Sequence, residues 1–154
     1  MIITKIISGG QTGTDQAALD FAIKHNILHG CWIQKGRKTE AGFLPEKYQL
    51  QKMPTTSYPK RTEQNILDSD GTLIFSRGTL TGGSALTHKL AKQHNRPWLH
   101  VDLDKVTARE AVQMIAEWLD GNEIENLNVA GPRASKDPGI HDFVVGILNR
   151  VWEV

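Results

Sequence analysis

The sequence contains a single cysteine, Cys31, so no disulfide can form within the chain. This cysteine usage suits a reducing compartment. An excess of one charge is also missing, because 18 Lys and Arg residues stand against 17 Asp and Glu residues, for a net charge of +1. A nucleic-acid surface needs a basic stripe or a basic excess, so we do not expect a nucleic-acid partner.

Long apolar runs are absent as well. No stretch of the sequence approaches the roughly 20 apolar residues that a membrane-spanning helix needs. Near the start, Lys5 is followed by only two apolar residues before a glycine-rich stretch, which is too short for the core of a signal peptide. We therefore expect a soluble, cytoplasmic protein. Its 154 residues suffice for a proper core, and we expect a single domain over residues 1–154.

A loop of glycine and small hydroxyl residues stands between a predicted strand and a predicted helix near the start of the chain. Residues 1–7 form an apolar run typical of a buried strand, and residues 16–23 predict a helix. Glycines let a backbone approach a ligand closely, and free amides at a helix start favour an anion. This loop therefore predicts an anion site, with Asp15 as the helix cap or as a contact for a ligand hydroxyl or proton. A tight turn without a ligand is the alternative.

A second loop of this kind, residues 77–84, follows a strand predicted at residues 72–76 and opens another helix. Further strands are predicted at residues 30–33, 97–101 and 126–131. Strands that alternate with helices predict an α/β fold, a three-layer arrangement with a mostly parallel sheet and helices on both faces. In a doubly wound sheet a ligand binds at the carboxyl ends of the strands, where the winding reverses. We expect the strands before the two loops to be neighbours, so that both loops face one crevice.

Other signals concern the ends of helices. Thr62 is predicted to cap a short helix that ends at Leu67, and Asp137-Pro138 is predicted to begin the last helix. Thr107 and Glu110 have the spacing of a capping box. Residues 38–60 are the least regular part of the chain, and such a segment is more often functional or mobile than inert.

Several known motifs fail. The first loop lacks the Gly-x-Gly-x-x-Gly fingerprint of dinucleotide-binding proteins. The second loop has the glycine spacing of a nucleotide-binding P-loop, but Ser84-Ala85 stands where Lys-Ser or Lys-Thr is required. No cluster of histidines and carboxylates has metal-ligand spacing, so we expect no metal site. The sequence argues against a dinucleotide oxidoreductase and against an NTPase.

Basic residues are concentrated in loops or at the ends of elements. Lys35, Arg37, Arg77 and Arg133 follow predicted strands, which would point them at the crevice. Arginine binds phosphate and other oxyanions through two parallel hydrogen bonds, although each of these residues could equally be a solvated surface charge. Arg61 is interpreted instead as a structural partner of Glu63.

Seven stretches of the sequence together resemble one family. They read Ile7-Ser8-Gly9-Gly10-Gln11-Thr12-Gly13-Thr14-Asp15, Ala17-Ala18-Leu19-Asp20, Gly36-Arg37, Arg61-Thr62-Glu63-x-Asn65, Asp68-Ser69-Asp70-Gly71-Thr72-Leu73-Ile74, Gly82-Gly83-Ser84-x-x-Thr87 and Asn128-Val129-Ala130-Gly131-Pro132-Arg133-Ala134-Ser135. The family that they resemble is that of the molybdenum carrier proteins, also described as a circularly permuted YpsA-like branch of a Rossmann-like nucleotide-sensing superfamily. The resemblance covers nearly the whole chain.

The resemblance implies a Rossmann-like domain that binds an anionic ligand at the glycine loops, as a homo-oligomer. For the carrier members the implied ligand is the molybdenum cofactor, a pterin phosphate that bears a molybdenum oxo group, or molybdate. Such a ligand would be held rather than transformed, and a molybdoenzyme or a cofactor-insertion protein would be the partner. Carried over position by position, the ligand-binding residues are Gly9, Gly10, Gln11, Thr12, Gly13, Thr14, Arg37, Gly82, Gly83, Ser84 and Arg133.

Two other functions stay open. The wider superfamily is similar to the lonely-guy phosphoribohydrolases, which cleave nucleoside monophosphates at the glycosidic bond. Their glycine loop ends in an essential glutamate, where this chain has Lys89. Glycoside cleavage needs a carboxylate, and Asp15 is the candidate catalytic residue if the protein is an enzyme. The third possibility is a sensor of a nucleotide-derived signal. Pterins and purines are both flat heterocycles, and the sequence does not choose between them.

Overall fold

The computed structural model describes residues 2–30, 32–33, 37–49, 51–52 and 57–154. Helices and strands alternate along most of this length. In chain order they are β1 (Lys5–Ser8), α1 (Thr14–Lys24), β2 (Leu28–Gly30), β3 (Trp32–Ile33), β4 (Lys38–Thr39), β5 (Gly42–Phe43), β6 (Gln51–Lys52), α2 (Tyr58–Leu67), β7 (Gly71–Ser76), α3 (Gly82–Gln93), β8 (Trp98–Asp102), α4 (Ala108–Gly121), β9 (Asn126–Ala130) and α5 (Ile140–Trp152).

Five strands form one parallel sheet in the order β2-β1-β9-β7-β8. This sheet, with helices on both faces, confirms the predicted Rossmann-like α/β fold. The expected strand order was wrong, because β1 and β7 are not neighbours. The last strand in the chain, β9, lies between them and pairs with both. The loop that follows β9, residues 131–139, therefore stands between the two glycine loops.

The helices are divided between the two faces of the sheet. Helices α1, α4 and α5 pack together on one face, and α2 packs against α3 on the other. This division follows from right-handed crossovers, since connections that move in opposite directions along a sheet place their helices on opposite faces. The larger core lies under α1, α4 and α5. Its fully buried side chains include Ile6, Phe21, Phe75, Ile115, Leu127 and Val144.

The ends of the helices test the predicted caps. The capping box is confirmed, because Thr107 Oγ1 accepts from Glu110 N at 3.1 Å and Glu110 Oε1 accepts from Thr107 N at 3.0 Å. Two other predictions were wrong. Helix α2 begins at Tyr58, and its N-cap is Ser57 rather than Thr62. Ser57 Oγ accepts from Lys60 N at 3.4 Å, and a proline fits the first turn of the helix. Helix α5 begins at Ile140, three residues after Asp137.

The segment predicted to be irregular, residues 38–60, contains three short strands in the part that the structure describes, β4, β5 and β6. Strands β4 and β5 form an antiparallel hairpin, and β3 pairs in parallel with β6. The predicted strand at residues 30–33 is divided between β2 and β3, and Cys31 lies outside the described residues. Tyr48, which is 2% exposed, anchors this segment to Ile7 and Leu19. Of the helices described, none is both long and apolar enough to cross a bilayer.

Candidate functional site

A cavity of about 670 Å³ opens at the carboxyl ends of β1, β9 and β7. This size is within the range of sites for small organic ligands, roughly 300–1,000 Å³. The loop after β7 and the first turns of α2 and α3 form one wall. The loops after β1 and β9 and the first turn of α1 contribute the other wall, including Gly9, Gln11, Asp15 and Arg133. The position agrees with the rule that open α/β sheets bind ligands at this edge.

The first turn of α3 faces the cavity with Gly82, Gly83 and Ser84. The amides of a first helical turn have no acceptor within the helix. Thr81 occupies the N-cap position, but its side chain makes no capping hydrogen bond, and the turn contains no acidic residue. Free amides and the positive end of the helix dipole make this wall suitable for an anion.

Gly83 has a structural role that its sequence context does not reveal. A Cβ atom at this position would lie 2.6 Å from the hydroxyl oxygen of Tyr58, so glycine is required for the tyrosine to approach α3. The guanidinium of Arg61 lies over the ring of Tyr58, at 4.2 Å from its centroid. A cation over an aromatic face is attracted to it, so Tyr58 holds Arg61 in place at the wall of the cavity.

Arg61 is the most deeply buried cation of the cavity, with 5% of its surface exposed. Its Nε atom is buried and has no hydrogen-bond partner in the described structure. A Cβ atom on Gly9 would clash with Arg61 Nη1, so glycine at this position leaves the space that the guanidinium fills. The interpretation of Arg61 as a partner of Glu63 was wrong, because Glu63 pairs with His94 at 3.0 Å.

Asp15 lies beside this guanidinium and is 7% exposed. It does not cap α1, whose N-cap residue is Gly13; instead its Oδ2 atom accepts from Gln11 N at 3.2 Å. Burial raises the pKa of Asp15 to about 6, against the opposing charges of Arg61 and Arg133 and the bond from Gln11. The carboxyl group can therefore gain or lose a proton near neutral pH.

Most of the first glycine loop is turned away from the cavity. The backbone N and the Oγ1 atom of Thr14 both donate to Pro132 O, each at 3.1 Å. Gly13 has a φ of 80°, and a Cβ atom there would lie 2.5 Å from the same carbonyl oxygen. Four of the ligand-binding residues predicted in this loop do not line the cavity, namely Gly10, Thr12, Gly13 and Thr14. Gly9 and Gln11 do line it.

The predicted basic residues divide in a similar way. Arg133 and Arg77 line the cavity. Arg77 is already bound to the carboxylate of Asp137, with Nε and Oδ2 2.6 Å apart. Arg37 is not brought to the cavity, because its Nη2 atom donates to Tyr48 O at 2.9 Å and to Pro45 O at 3.3 Å. Lys35 lies outside the described residues.

The sequence interpretation missed Tyr58, Arg61 and Thr62 as cavity residues. Thr62 is 4% exposed, and its hydroxyl, like Arg61 Nε, has no partner within the described structure. Residues three and four apart share one face of a helix, so these three positions would have pointed to a common face. Placing the helix start at Thr62 hid that signal. Within the described ranges, no cluster of three His, Cys, Asp or Glu side chains could hold a metal ion.

The fold and the cavity define a Rossmann-like α/β protein with an open, amide-lined wall at the carboxyl edge of its sheet. The chain belongs to the circularly permutated YpsA SLOG family, whose model matches residues 6–152. It is similar to the crystal structure of a protein described as "Putative molybdenum carrier protein" from Syntrophus aciditrophicus SB. The TM-score is 0.95 at 57% identity, over 97% of this chain and 94% of that chain. No curated protein matches the sequence.

Proposed function

We propose that this protein is a carrier that binds an organic ligand bearing an oxyanion group, with the molybdenum cofactor as the first candidate. The oxyanion would be held by the amides of the first turn of α3 and by Arg61. Arg133 and Gln11 would contact the rest of the ligand. The similarity to a molybdenum carrier protein supports the choice of candidate.

One observation carries the proposal: unused hydrogen-bond donors of two kinds converge on the same cavity. The first turn of α3 has free amides, and Arg61 has a buried Nε atom without a partner. A buried donor that makes no hydrogen bond costs roughly 1–3 kcal/mol, more if it is charged. A bound oxyanion would satisfy the amides of α3 and neutralise the buried charge of Arg61.

The size of the cavity favours an organic ligand over bare molybdate. A tetrahedral oxyanion in contact with α3 and Arg61 would leave most of the approximately 670 Å³ unfilled. A pterin phosphate, or a nucleotide of similar size, uses the remaining volume along the walls that Asn128 and Pro138 contribute. Molybdate alone is therefore the second candidate for the bound ligand.

Asp15 supports a different function, the cleavage of nucleoside monophosphates. A carboxyl group with a pKa of about 6 at the wall of a ligand cavity is suited to general acid–base catalysis. The carrier is preferred because Lys89 stands where the related hydrolases have their essential glutamate.

Mass spectrometry can separate these functions. The purified protein is incubated with the molybdenum cofactor, with molybdate and with a panel of nucleoside monophosphates. Native spectra then report what stays bound and the number of chains in the complex, and small-molecule spectra of the supernatant report what is cut. We expect retention of the cofactor, intact nucleotides and a homo-oligomer.

Other outcomes identify the alternatives. Free base and ribose 5-phosphate in the supernatant would make the protein a phosphoribohydrolase, and Asp15→Asn should then abolish the cleavage. A nucleotide retained without cleavage would identify a sensor. Molybdate retained in place of the cofactor would contradict the organic ligand. If a carrier is identified, capture of a molybdoenzyme or an insertion protein on the loaded form, but not on the empty form, tests the expected partner.

A further inference from the structure

Glu40, at the turn of the β4–β5 hairpin, contacts two of the loops beside the cavity. Its carboxylate accepts a hydrogen bond from Thr12 Oγ1 in the loop after β1. The same oxygen, Oε1, accepts from Ser135 N in the loop after β9, at 3.0 Å. The backbone N of Glu40 donates to Gln11 Oε1 at 2.8 Å. One exposed side chain thus connects three segments of the chain.

The donors that meet Glu40 do not depend on Glu40 for their positions. Thr12 Oγ1 accepts from Ala134 N at 3.2 Å, which leaves its proton to point at the carboxylate. Thr14 fixes the same two loops to each other through Pro132 O. A hydroxyl and an amide held in this way present two donors to whatever anion lies between them.

Arg133 connects this position with the cavity. Hydrogen bonds from Ser135 and Thr12 hold the pKa of Glu40 below its ordinary value, and the charge of Arg133 contributes to the same effect. Arg133 also lines the cavity, and its charge acts on Asp15. Arg133 is therefore close to the carboxylate of Glu40 and also lines the cavity, so the position of Glu40 lies beside the cavity.

The rest of the segment has its own attachment to the protein. Tyr48 donates to Asp20 Oδ1 at 2.6 Å, and Arg37 donates to the carbonyl of Tyr48. Glu40 itself is exposed, so its carboxylate can exchange with an anion from solution. Release of Glu40 would leave the segment fastened at Tyr48.

We propose that Thr12 Oγ1, Ser135 N and Arg133 form a second oxyanion site, which the carboxylate of Glu40 fills until a ligand anion displaces it. The inference rests on the proposed function and extends it, since it defines the ligand as an organic molecule with two separate anionic groups. One group binds at the first turn of α3, and the other replaces Glu40. Displacement of the chain's own carboxylate lowers the apparent affinity of the second group.

The test is a titration of the ¹⁵N-labelled protein with inorganic phosphate, followed by the chemical shifts of two amides. At 17.1 kDa the chain is suited to such spectra. The amide of Ser84 reports on the α3 wall, and the amide of Ser135 reports on the Glu40 position. We expect Glu40→Ala to lower the phosphate concentration for the half-maximal shift at Ser135 by at least about 10-fold, while the value at Ser84 changes little.

Two further variants sharpen the test. Glu46→Ala is the matched control, because it removes the same charge from an exposed position in the same segment; both amides should titrate as in the wild type. Adding Thr12→Val to Glu40→Ala removes one donor and should reverse most of the gain at Ser135. An unchanged titration at Ser135 in Glu40→Ala would overturn the inference. A response at Ser135 without any at Ser84 would instead contradict the proposed function.

Discussion

The loop after β1 and the loop after β7 both combine glycine with small hydroxyl residues, and both lead into a helix. In the loop after β1, the hydroxyls and amides bond to the chain itself, chiefly to Pro132 and Glu40. The first turn of α3, after β7, has glycine and serine amides that face a cavity without a capping side chain. Similar compositions thus serve different purposes, the packing of two loops in one case and an open wall in the other.

The difference lies in where the loop after β9 packs. Strand β9 pairs with both β1 and β7, but the loop that follows it packs onto the loop after β1 and takes up the donors of that loop. Strand β7 lies on the other side of β9, and the cavity separates α3 from these two loops. The donors of a glycine loop are used by an adjacent loop that packs onto it. Where no loop packs onto them, the donors are available to a ligand.

The largest effect on stability is expected when a glycine of the loop after β1 is replaced by alanine. Gly13→Ala combines a φ of 80° with a Cβ atom 2.5 Å from Pro132 O, and we expect it to lower the free energy of unfolding by about 2–5 kcal/mol. Gly82→Ala is the control, since its φ is 52° and the nearest atom would be 3.8 Å away; about 1 kcal/mol is expected. Urea denaturation of both variants measures the difference. Equal losses would show that the two loops do not differ in packing.

The largest effect on binding is expected at Arg61. Arg61→Ala should weaken inorganic phosphate or molybdate binding about 100-fold, because it removes a buried guanidinium that has an unused donor. Arg77→Ala provides a matched comparison, since Arg77 is also in the cavity but is already bound to Asp137. It should cost less than about 5-fold. Calorimetric titration gives both values, after circular dichroism has shown that each variant is folded. A larger loss of affinity in Arg77→Ala than in Arg61→Ala would show that the anion does not bind between α3 and Arg61.

Asp15 makes the free energy of unfolding depend on pH. Because its pKa rises from 3.8 to about 6 on folding, the protein is stabilised by protonation of Asp15 below pH 3.8, and this contribution is lost as the pH rises through 6. Asp15→Asn should therefore raise the free energy of unfolding at pH 8 by about 1–3 kcal/mol, and the gain should disappear below about pH 4. Denaturation at a series of pH values measures it. A carrier should keep most of its ligand affinity in this variant, so a loss above about 10-fold would argue for a direct contact.

The smallest effects separate the hydroxyls of the two loops. Thr14→Val removes a partly buried hydrogen bond to Pro132 O and should cost about 0.5–1.5 kcal/mol of stability. Ser84→Ala, at the open wall, should change stability by less than about 0.5 kcal/mol and should weaken phosphate binding slightly. Thermal melts with and without phosphate distinguish the two. A stability loss at Ser84 as large as that at Thr14 would mean that the wall of α3 has partners of its own.

The sequence was sufficient for features that depend on near neighbours. The apolar run at residues 72–76 became the buried strand β7, and the capping box at Thr107 formed as its spacing predicted. The alternation of strands and helices gave the fold class. That residues 1–154 form a single domain stays a prediction, which limited proteolysis can test.

The features that the sequence did not predict depend on contacts between distant parts of the chain. The acceptor of the Thr14 hydroxyl is Pro132, which is 118 positions away, and no local pattern reveals such a partner. The glycines were predicted to make room for a ligand, but Gly9 and Gly83 make room for Arg61 and Tyr58. The sequence placed Arg77 after a predicted strand and Arg61 beside Glu63, but only the packed structure distinguishes Arg61, with a free donor, from Arg77, which is paired.

The position of β9 also has a consequence for folding while the chain is being synthesised on the ribosome. Strands β1 and β7 are both made before β9, yet β9 is one of the two partners of each in the sheet. Until β9 leaves the ribosome, the edges of β1 and β7 that will pair with it are unpaired. Unpaired edges of apolar strands favour aggregation. The pairing of β1 with β9 spans most of the chain, which is typical of slow folding. The loop after β9 contributes Arg133 to the cavity, so a complete cavity exists only after this loop has been synthesised.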